Sequence, residues 1–278
     1  MIQALYFYTL PILLAAIGGL FSDVVGKLNI ALESLILTGA FTAYVVTVET
    51  GSPLLGLVSA GAAAALVACI FFALSLKGNA NIFVTGLGLN LLIPGTIATI
   101  SSVIYGTRGV LRPDSFPPLA RIGQIPLLSL AAVLLVFIMW YLLTWTPLGL
   151  RIRAIGLQPH VSQIRGLSPF KLRLTALTIS GLACGVAGAL LVFSLRSYVP
   201  NISAGKGWIA LAAIYVGRRR LWGVLWATLL FGITELAANS AQGILELPSS
   251  LLMAFPYAAA TLVLIIQGVI IRRREGKT

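Results

Sequence analysis

Charge is scarce in this chain, and negative charge is the scarcer sign. Charged residues make up 9% of the 278 positions, with 7 Asp and Glu against 19 Lys and Arg. Soluble domains carry about 25% charged residues, so this composition excludes an ordinary soluble protein. The cations lie between apolar runs and do not line one amphipathic face, so we expect no nucleic-acid partner.

Histidine and cysteine are also rare. The chain has 1 His, which excludes a histidine-rich metal site and disfavours a Ser-His-Asp triad. Its 2 cysteines, Cys69 and Cys184, lie inside apolar runs, which disfavours a disulfide framework or a thiolate metal site. We therefore expect no catalytic residue, no metal and no cofactor, and the chain is not predicted to be an enzyme.

Long apolar runs make up most of the sequence. Hydrophobic residues account for 59% of the chain, and the mean hydropathy is +1.01. A helix of about 20 apolar residues spans a bilayer, so we predict an all-α polytopic helical membrane protein with about 8–10 transmembrane or re-entrant helices. We expect residues 1–278 to form a single transmembrane domain. The long runs are 4–21, 28–48, 54–76, 82–105, 127–145, 174–195, 221–239 and 249–271.

Two apolar runs differ from the others, one because it is short and one because Gly and Pro interrupt it. Residues 207–216 are apolar but too few to span as a helix, which indicates a half-helix or re-entrant element buried among other helices. Residues 82–105 contain GLGLN at 86–90 and a Pro-Gly pair at 94–95, so we expect this helix to be broken. Unwound backbone at membrane depth is a common place for a transport site.

The basic segment 147–173 orients the chain. It holds five cations and no acid between two uncharged runs, and such segments face the cytoplasm. If every run crosses the membrane, the C-terminus is cytoplasmic as well. The cations left on the outer side are then only Arg108, Arg112, Arg121, Arg196 and Lys206.

Two carboxylates, Glu33 and Glu235, lie inside apolar runs. An unpaired carboxylate at membrane depth costs several kcal/mol, so each is expected to face a cavity or a partner. The alternative for both is a structural role, by snorkelling from a helix end or by pairing with Lys27 or with an arginine of the 218–220 triplet. The sequence leaves these alternatives open.

Amides and glycines supply the other candidates for the substrate path. Asn90 lies in the Gly-rich stretch, where its amide is either a cavity group or an interhelical hydrogen-bonding group. Glycines at 181, 185 and 188 are expected to serve helix packing. We predict that the path is lined by residues of the 29–33, 86–90 and 207–211 stretches. The candidates are Asn29, Glu33, Gly86, Asn90, Gly207 and Trp208.

Three motifs carry a family resemblance. Residues 28–41 (LNIALESLILTGAF), 148–191 and 207–232 resemble, in this order, the permease subunits of bacterial ABC importers for branched-chain amino acids, simple sugars and purine nucleosides. The N-I-x-L-E pattern that ends at Glu33 is similar to the nucleoside and simple-sugar branch. This chain departs from the family pattern at Ser34 and at residues 156–162. It also departs at residues 217–223, where the proline of the family pattern is missing. These departures leave the transporter class intact, and the substrate stays open among the solutes that the family transports.

The resemblance implies a set of partners and a place. It implies separate ATP-binding subunits that hydrolyse ATP, a second homologous permease subunit or a second copy, an extracytoplasmic substrate-binding protein, and membrane lipids around the chain. It also implies a multi-pass protein of the bacterial plasma (inner) membrane.

Within the basic segment, Pro and Gly predict a short helix over 159–166, because Pro opens helices and Gly ends them. The resemblance implies that this helix couples the chain to the ATP-binding subunits. The alternative is a solvated basic loop that binds anionic lipids. The candidate coupling residues are Pro159, His160, Gln163, Arg165 and Gly166.

The predicted function is therefore a permease subunit that forms the path for a small polar solute, either a nucleoside or a simple sugar. A branched-chain amino acid permease is the alternative within the family. A proton-coupled secondary carrier that uses Glu33 or Glu235 is the alternative from another class. A non-transporting scaffold is disfavoured, because packing alone has little use for broken helices with amides at membrane depth.

Overall fold

The structure is a computed structural model that describes residues 2–113, 115–122, 125–164 and 166–242. Its elements are α1 (Ile2–Val24), α2 (Leu32–Thr50), α3 (Pro53–Phe72), α4 (Ile82–Tyr105), β1 (Arg121–Ile122), β2 (Ile125–Pro126), α5 (Leu127–Trp145), α6 (Pro147–Leu157), α7 (Pro159–Ile164), α8 (Pro169–Leu195), α9 (Lys206–Val216) and α10 (Leu221–Gln242). A π-helical turn, Ala73–Lys77, continues α3.

The predicted membrane helices are present in the part of the chain that is described. Seven helices there are long and apolar enough to cross a bilayer, and α9 is a further apolar helix of 11 residues. The all-α polytopic prediction is thus confirmed, including the short helix after residue 206. The predicted last run, 249–271, and the C-terminus lie outside the described residues.

Local sequence signals determine where several helices begin. Helices α3, α6 and α8 each begin at a proline that follows a serine or threonine. The hydroxyl of Ser52, Thr146 or Ser168 accepts a hydrogen bond from a backbone N–H of the first turn. Proline lacks the N–H that a first turn leaves unpaired, so this pair of residues is a strong helix start.

Helix α8 forms the centre of the bundle, packed against α1, α2 and α3. Glycines make this packing possible. A Cβ added at Gly181 would lie 2.7 Å from Ala65 Cα of α3, and at Gly185 it would lie 2.8 Å from Gly61 Cα. On another side of α8, Gly188 meets the backbone of α2 near Ala40. The predicted packing role of the α8 glycines is confirmed, because any side chain there would separate the helices.

The prediction that residues 82–105 form a broken helix is wrong. Helix α4 is continuous through Gly86 and Asn90 and contains Pro94 in its interior. Gly86 instead allows Ile30 to approach, since a Cβ there would lie 2.6 Å from the Ile30 Cβ. The non-helical stretch at this place lies between α1 and α2, at residues 25–31.

The segment between α4 and α5 contains turns and a small hairpin. Strands β1 and β2 pair antiparallel, with Arg121 opposite Pro126 and Ile122 opposite Ile125. Leu111 also forms an antiparallel bridge with Tyr198, which follows α8. The segment is therefore ordered by short pairings and turns, as its four prolines predict.

Candidate functional site

The unwound stretch between α1 and α2 is held by two asparagines. Asn29 is fully buried; its Nδ2 donates to Ser180 Oγ of α8 at 3.1 Å, and its Oδ1 accepts from Ala31 N at 3.1 Å. Both ends of this amide are satisfied within the core, so Asn29 fixes the backbone and does not line a cavity. The sequence predicted that Asn29 lines the substrate path, and in this structure its side chain lies in the core.

Asn90 bridges α4 to the start of α2. Its Nδ2 donates to Ile30 O at 2.9 Å, and its Oδ1 accepts from Ser34 N at 3.0 Å. Helix starts leave backbone N–H groups without partners, and this side chain from another helix satisfies one of them. Both alternatives left open by the sequence apply, because Asn90 makes an interhelical bond and also borders a cavity.

Glu33, in the first turn of α2, binds the beginning of the half-helix α9. Its Oε1 accepts from Ser203 Oγ at 2.5 Å and from Gly205 N at 2.8 Å, and its Oε2 accepts from Gly207 N at 2.7 Å. The N-terminal end of a helix carries partial positive charge and unpaired N–H groups, so a carboxylate is stabilised there. Glu33 therefore caps a helix that is distant in sequence and has no side-chain cap of its own.

The residues that Glu33 binds form a tight turn, residues 203–207, which we call the α9 corner. Gly205 has a φ of +80°, a left-handed conformation that favours glycine. Gly207 lies against the backbone of Glu33, where an added Cβ would come within 2.6 Å of the Glu33 Cα. Glycine at both positions thus allows the backbone of one helix to reach a carboxylate of another.

Glu235 of α10 pairs with Lys206, the first residue of α9. Lys206 Nζ lies 2.5 Å from Glu235 Oε1, and the two side chains are only 6% and 14% exposed. The predicted partners of Glu235, Lys27 or the arginine triplet, are wrong. The triplet lies at the opposite end of α9, where Arg219 Nε pairs with Asp23 Oδ2 at 2.8 Å. Lys206, which the sequence assigns to the outer side, is buried within the α9 corner.

A cavity of about 920 Å³ opens beside the α9 corner. It is lined by Glu33, Leu87, Asn90, Leu91, Leu195, Val199, Pro200, Asn201, Ile202, Ala204, Gly205 and Trp208. Of the predicted path residues, Glu33, Asn90 and Trp208 border it. Asn29, Gly86 and Gly207 do not, although Gly86 and Gly207 precede the lining residues Leu87 and Trp208 in the chain.

Sequence reasoning missed residues 199–205, which form one wall of the cavity. The available signal was the polar Asn201 and Ser203 directly before a half-helix. The lining contains one carboxylate, two amides and one indole among apolar side chains, and no cation. Such a surface suits a small neutral solute with an apolar face and several hydrogen-bonding groups, because few polar groups are enough to orient it.

The basic segment folds into α6, α7 and the first turn of α8. Pro159 opens α7, and Gly166, with a φ of +79°, follows its end, as predicted. His160 and Gln163 are exposed on α7, while Arg165 lies outside the described residues. A groove of about 640 Å³ lies along α6 and α7. Its apolar rim includes Leu157, which is 82% exposed, so this surface is suited to docking.

A membrane bundle with an unwound helix start and a half-helix beside a cavity with a few polar groups is typical of membrane transport proteins. The sequence family described as branched-chain amino acid transport system / permease component matches residues 1–271. The chain belongs to this family and is a permease subunit of an ABC importer. The resemblance of its three motifs to this family is therefore confirmed.

Several relatives carry names that describe transport. The guanosine ABC transporter permease protein NupQ of Bacillus subtilis is 32% identical over 95% of this chain and 90% of its own length. The nucleoside ABC transporter permease protein NupC of Lactococcus lactis subsp. cremoris is 29% identical over 92% and 88%. The ribose import permease protein RbsC of Escherichia coli K12 is 26% identical over 81% and 73%. The similarity to nucleoside and sugar permeases agrees with the pattern that ends at Glu33.

Proposed function

We propose that this permease subunit forms the path for a neutral nucleoside or simple sugar, with nucleosides favoured. The observation that carries the proposal is the lining of the cavity beside the α9 corner. Trp208 and the apolar side chains provide a surface for a flat, weakly polar ring, and Asn201 and Glu33 provide hydrogen-bonding groups. The relatives NupQ and NupC, named for guanosine and nucleosides, support the same choice.

The α9 corner also argues against a branched-chain amino acid. A solute carboxylate at membrane depth would be stabilised by a cation or by the N-terminus of a half-helix. The N-terminus of α9 is the half-helix start at this cavity, and Glu33 already binds it. A second carboxylate there would be repelled, so a neutral solute fits this cavity better.

The geometry of the two buried carboxylates disfavours a proton-coupled carrier. Glu33 accepts three hydrogen bonds, and Glu235 is paired with Lys206. Each carboxylate is thus engaged by donors of the protein itself, in the manner of a structural acceptor. We therefore assign the energy source to ATP, hydrolysed on separate ATP-binding subunits.

The remaining parts of the assembly are proposed from family membership. Residues 1–278 form one membrane domain in the bacterial plasma membrane, surrounded by lipids, with a cytoplasmic coupling segment at 147–173. Helix α7 docks on an ATP-binding subunit through His160 and Gln163, and Arg165, the next residue in the sequence after Ile164, takes part in this contact. A second permease subunit, homologous or identical, and an extracytoplasmic substrate-binding protein complete the importer.

Uptake by the reconstituted complex tests this proposal. Proteoliposomes that contain the permease with its partner subunits are offered labelled nucleosides, ribose, glucose and leucine. We expect ATP-dependent nucleoside uptake that persists when an ionophore collapses the proton gradient. Uptake of leucine without nucleosides would refute the assigned solute, and loss of uptake with the ionophore would refute the assigned energy source.

Cysteine labelling tests the orientation. Gln163 and Ser115 are both exposed, one on α7 and one in the segment between α4 and α5. In a C69A/C184A background, we expect Gln163→Cys to react only from the cytoplasmic side and Ser115→Cys only from the outside. Reaction of Gln163→Cys from outside would invert the whole topology.

A further inference from the structure

The ion pair between Lys206 and Glu235 joins the α9 corner to α10. Lys206 separates Gly205 from Gly207, whose backbone N–H groups hold the two oxygens of Glu33. Its side chain extends to Glu235 of α10, and 6% of that side chain is exposed. One short stretch of backbone is therefore held by two carboxylates, from α2 on the cavity side and from α10 on the other.

Helix electrostatics do not explain a lysine at this position. A cation in the first turn of a helix is disfavoured by the positive end of the helix dipole, and a buried ammonium loses its hydration. Glu235 offsets both effects, but a buried ion pair contributes little net stability when compared with apolar residues of similar size. Its best-attested use in proteins is to specify register, which requires a partner at a defined distance.

The pair holds the corner through the side chain of Lys206, a group to which Glu33 makes no hydrogen bond. Glu33 bonds to the N–H groups of Gly205 and Gly207 and to the hydroxyl of Ser203. Among the described residues, Glu235 Oε2 has no hydrogen-bond partner, so Lys206 is its direct polar link to α9. Trp208 follows the corner in the chain and lines the cavity, so a shift of Lys206 changes the cavity wall.

We propose that Lys206 and Glu235 are positioning residues for transport. They hold the α9 corner from the α10 side, and so set the places of Glu33 and Trp208 at the cavity. Neither residue lines the cavity itself. The inference rests on the proposed function for its transport effect, but the position of the corner is measurable without any solute.

The sharpest variant is Glu235→Asp, which keeps both charges and withdraws the carboxylate by one methylene group. A positioning role predicts that KM for uptake rises roughly tenfold, because the groups that contact the solute at the cavity are displaced. Assembly with the partner subunits stays at the wild-type level. A role in charge compensation alone predicts an unchanged KM. Glu49→Asp is the matched control, because Glu49 is exposed at the far end of α2.

A second measurement reports the corner directly. Asn201→Cys, in the C69A/C184A background, places a thiol on the exposed cavity wall next to the corner. With Glu235→Asp we expect its rate of reaction with a small maleimide to change several-fold, while Ser115→Cys reacts at an unchanged rate. This readout needs no transported solute and separates the inference from the proposed function.

The neutral pair Lys206→Met/Glu235→Gln completes the test. It leaves no uncompensated charge, so a pair with a purely structural role predicts normal assembly and normal uptake. A positioning role predicts an assembled complex whose KM stays raised and whose labelling rate at Asn201→Cys stays altered. Wild-type KM and wild-type labelling in Glu235→Asp would overturn the inference, even if nucleoside uptake is found. Altered labelling without nucleoside uptake would support the positioning role and refute the proposed solute.

Discussion

The α9 corner and the α6–α7 segment satisfy their polar groups in opposite ways. At the corner, Glu33 and Glu235 arrive from two other helices and hold buried backbone and a buried ammonium. In α6–α7 the caps are local, such as the Thr146 hydroxyl, and Leu157 and Ile164 are left exposed. The corner is bonded to two other helices of the chain, which suits recognition of a solute. The α6–α7 surface lacks a partner within the described chain, which suits docking.

This difference predicts where mutations act. Changes at the corner are expected to alter solute uptake and the stability of the subunit, because the groups involved are buried and tertiary. Changes at α7 are expected to alter the response of the ATP-binding subunits while the membrane bundle stays intact. The predictions below separate these two kinds of effect, beginning with the largest.

Gly207→Ala should have the largest effect on uptake and on the free energy of unfolding. The added Cβ would overlap the backbone of Glu33, and overpacking of this kind lowers the free energy of unfolding by about 1–3 kcal/mol. Uptake should fall close to background because the α9 corner moves away from Glu33. The matched control is Gly88→Ala in α4, where an added Cβ meets no atom within 4 Å. Thermal unfolding in detergent and uptake in proteoliposomes check both, and equal results for the two variants would contradict the packing argument.

Glu33→Gln should have the second-largest effect on uptake and on stability. The amide keeps the shape but places an NH2 group against one of three donors, at Ser203, Gly205 or Gly207. An unsatisfied buried group costs about 1–3 kcal/mol, so we expect a lower melting temperature and reduced uptake. Glu49→Gln serves as the control because this carboxylate is exposed. Full uptake by Glu33→Gln would show that the charge of the cap has no role at the cavity.

Asn90→Ala should weaken transport while the complex still assembles. The variant removes hydrogen bonds to Ile30 O and from Ser34 N, each worth about 1 kcal/mol. Asn239→Ala is the control, since Asn239 is exposed and, among the residues described, it bonds to Glu235 O of its own helix. Uptake kinetics and co-purification of the ATP-binding subunits measure the two effects. Normal uptake by Asn90→Ala would remove this residue from the site.

Gly166→Ala tests the other region and should have the smallest effect on stability. A side chain at the left-handed φ of +79° costs about 1–2 kcal/mol and distorts the end of α7. We expect a lower rate of substrate-stimulated ATP hydrolysis, with normal membrane insertion. Gly51→Ala, at a φ of +68° after α2, introduces the same backbone strain far from α7. If both variants lower ATP hydrolysis equally, α7 has no special part in coupling.

A substitution that reverses the charge of one residue tests the docking of α7 more strongly. Arg165→Glu should place like charges together if α7 docks into an acidic groove, and it should lower co-purification of the ATP-binding subunits. The contribution of such a contact is about 1–3 kcal/mol if it is desolvated and under about 1 kcal/mol if it is exposed. A loop that only binds lipid predicts wild-type yield of the ATP-binding subunits, and that yield would refute the docking role.

Much of the architecture could be predicted from local properties of the sequence. The length and hydropathy of each run depend only on neighbouring residues, and they predicted the half-helix α9 and the seven long helices in the described part of the chain. The start of α7 at Pro159 and the turn at Gly166 depend on backbone preferences of single residues. The pattern that ends at Glu33 was sufficient to indicate the branch of the family, as the relatives NupQ and NupC confirm.

Only the tertiary structure decided which polar groups meet. Asn29 and Asn90 are both amides at membrane depth, but one is bonded to Ser180 inside the core and the other borders the cavity. Glycine at 86 suggested a broken helix, and it instead makes room for Ile30. Glu235 could have paired with several cations, and it pairs with Lys206. These partners lie on different helices, so their identity depends on how the helices pack, which no local window of sequence contains.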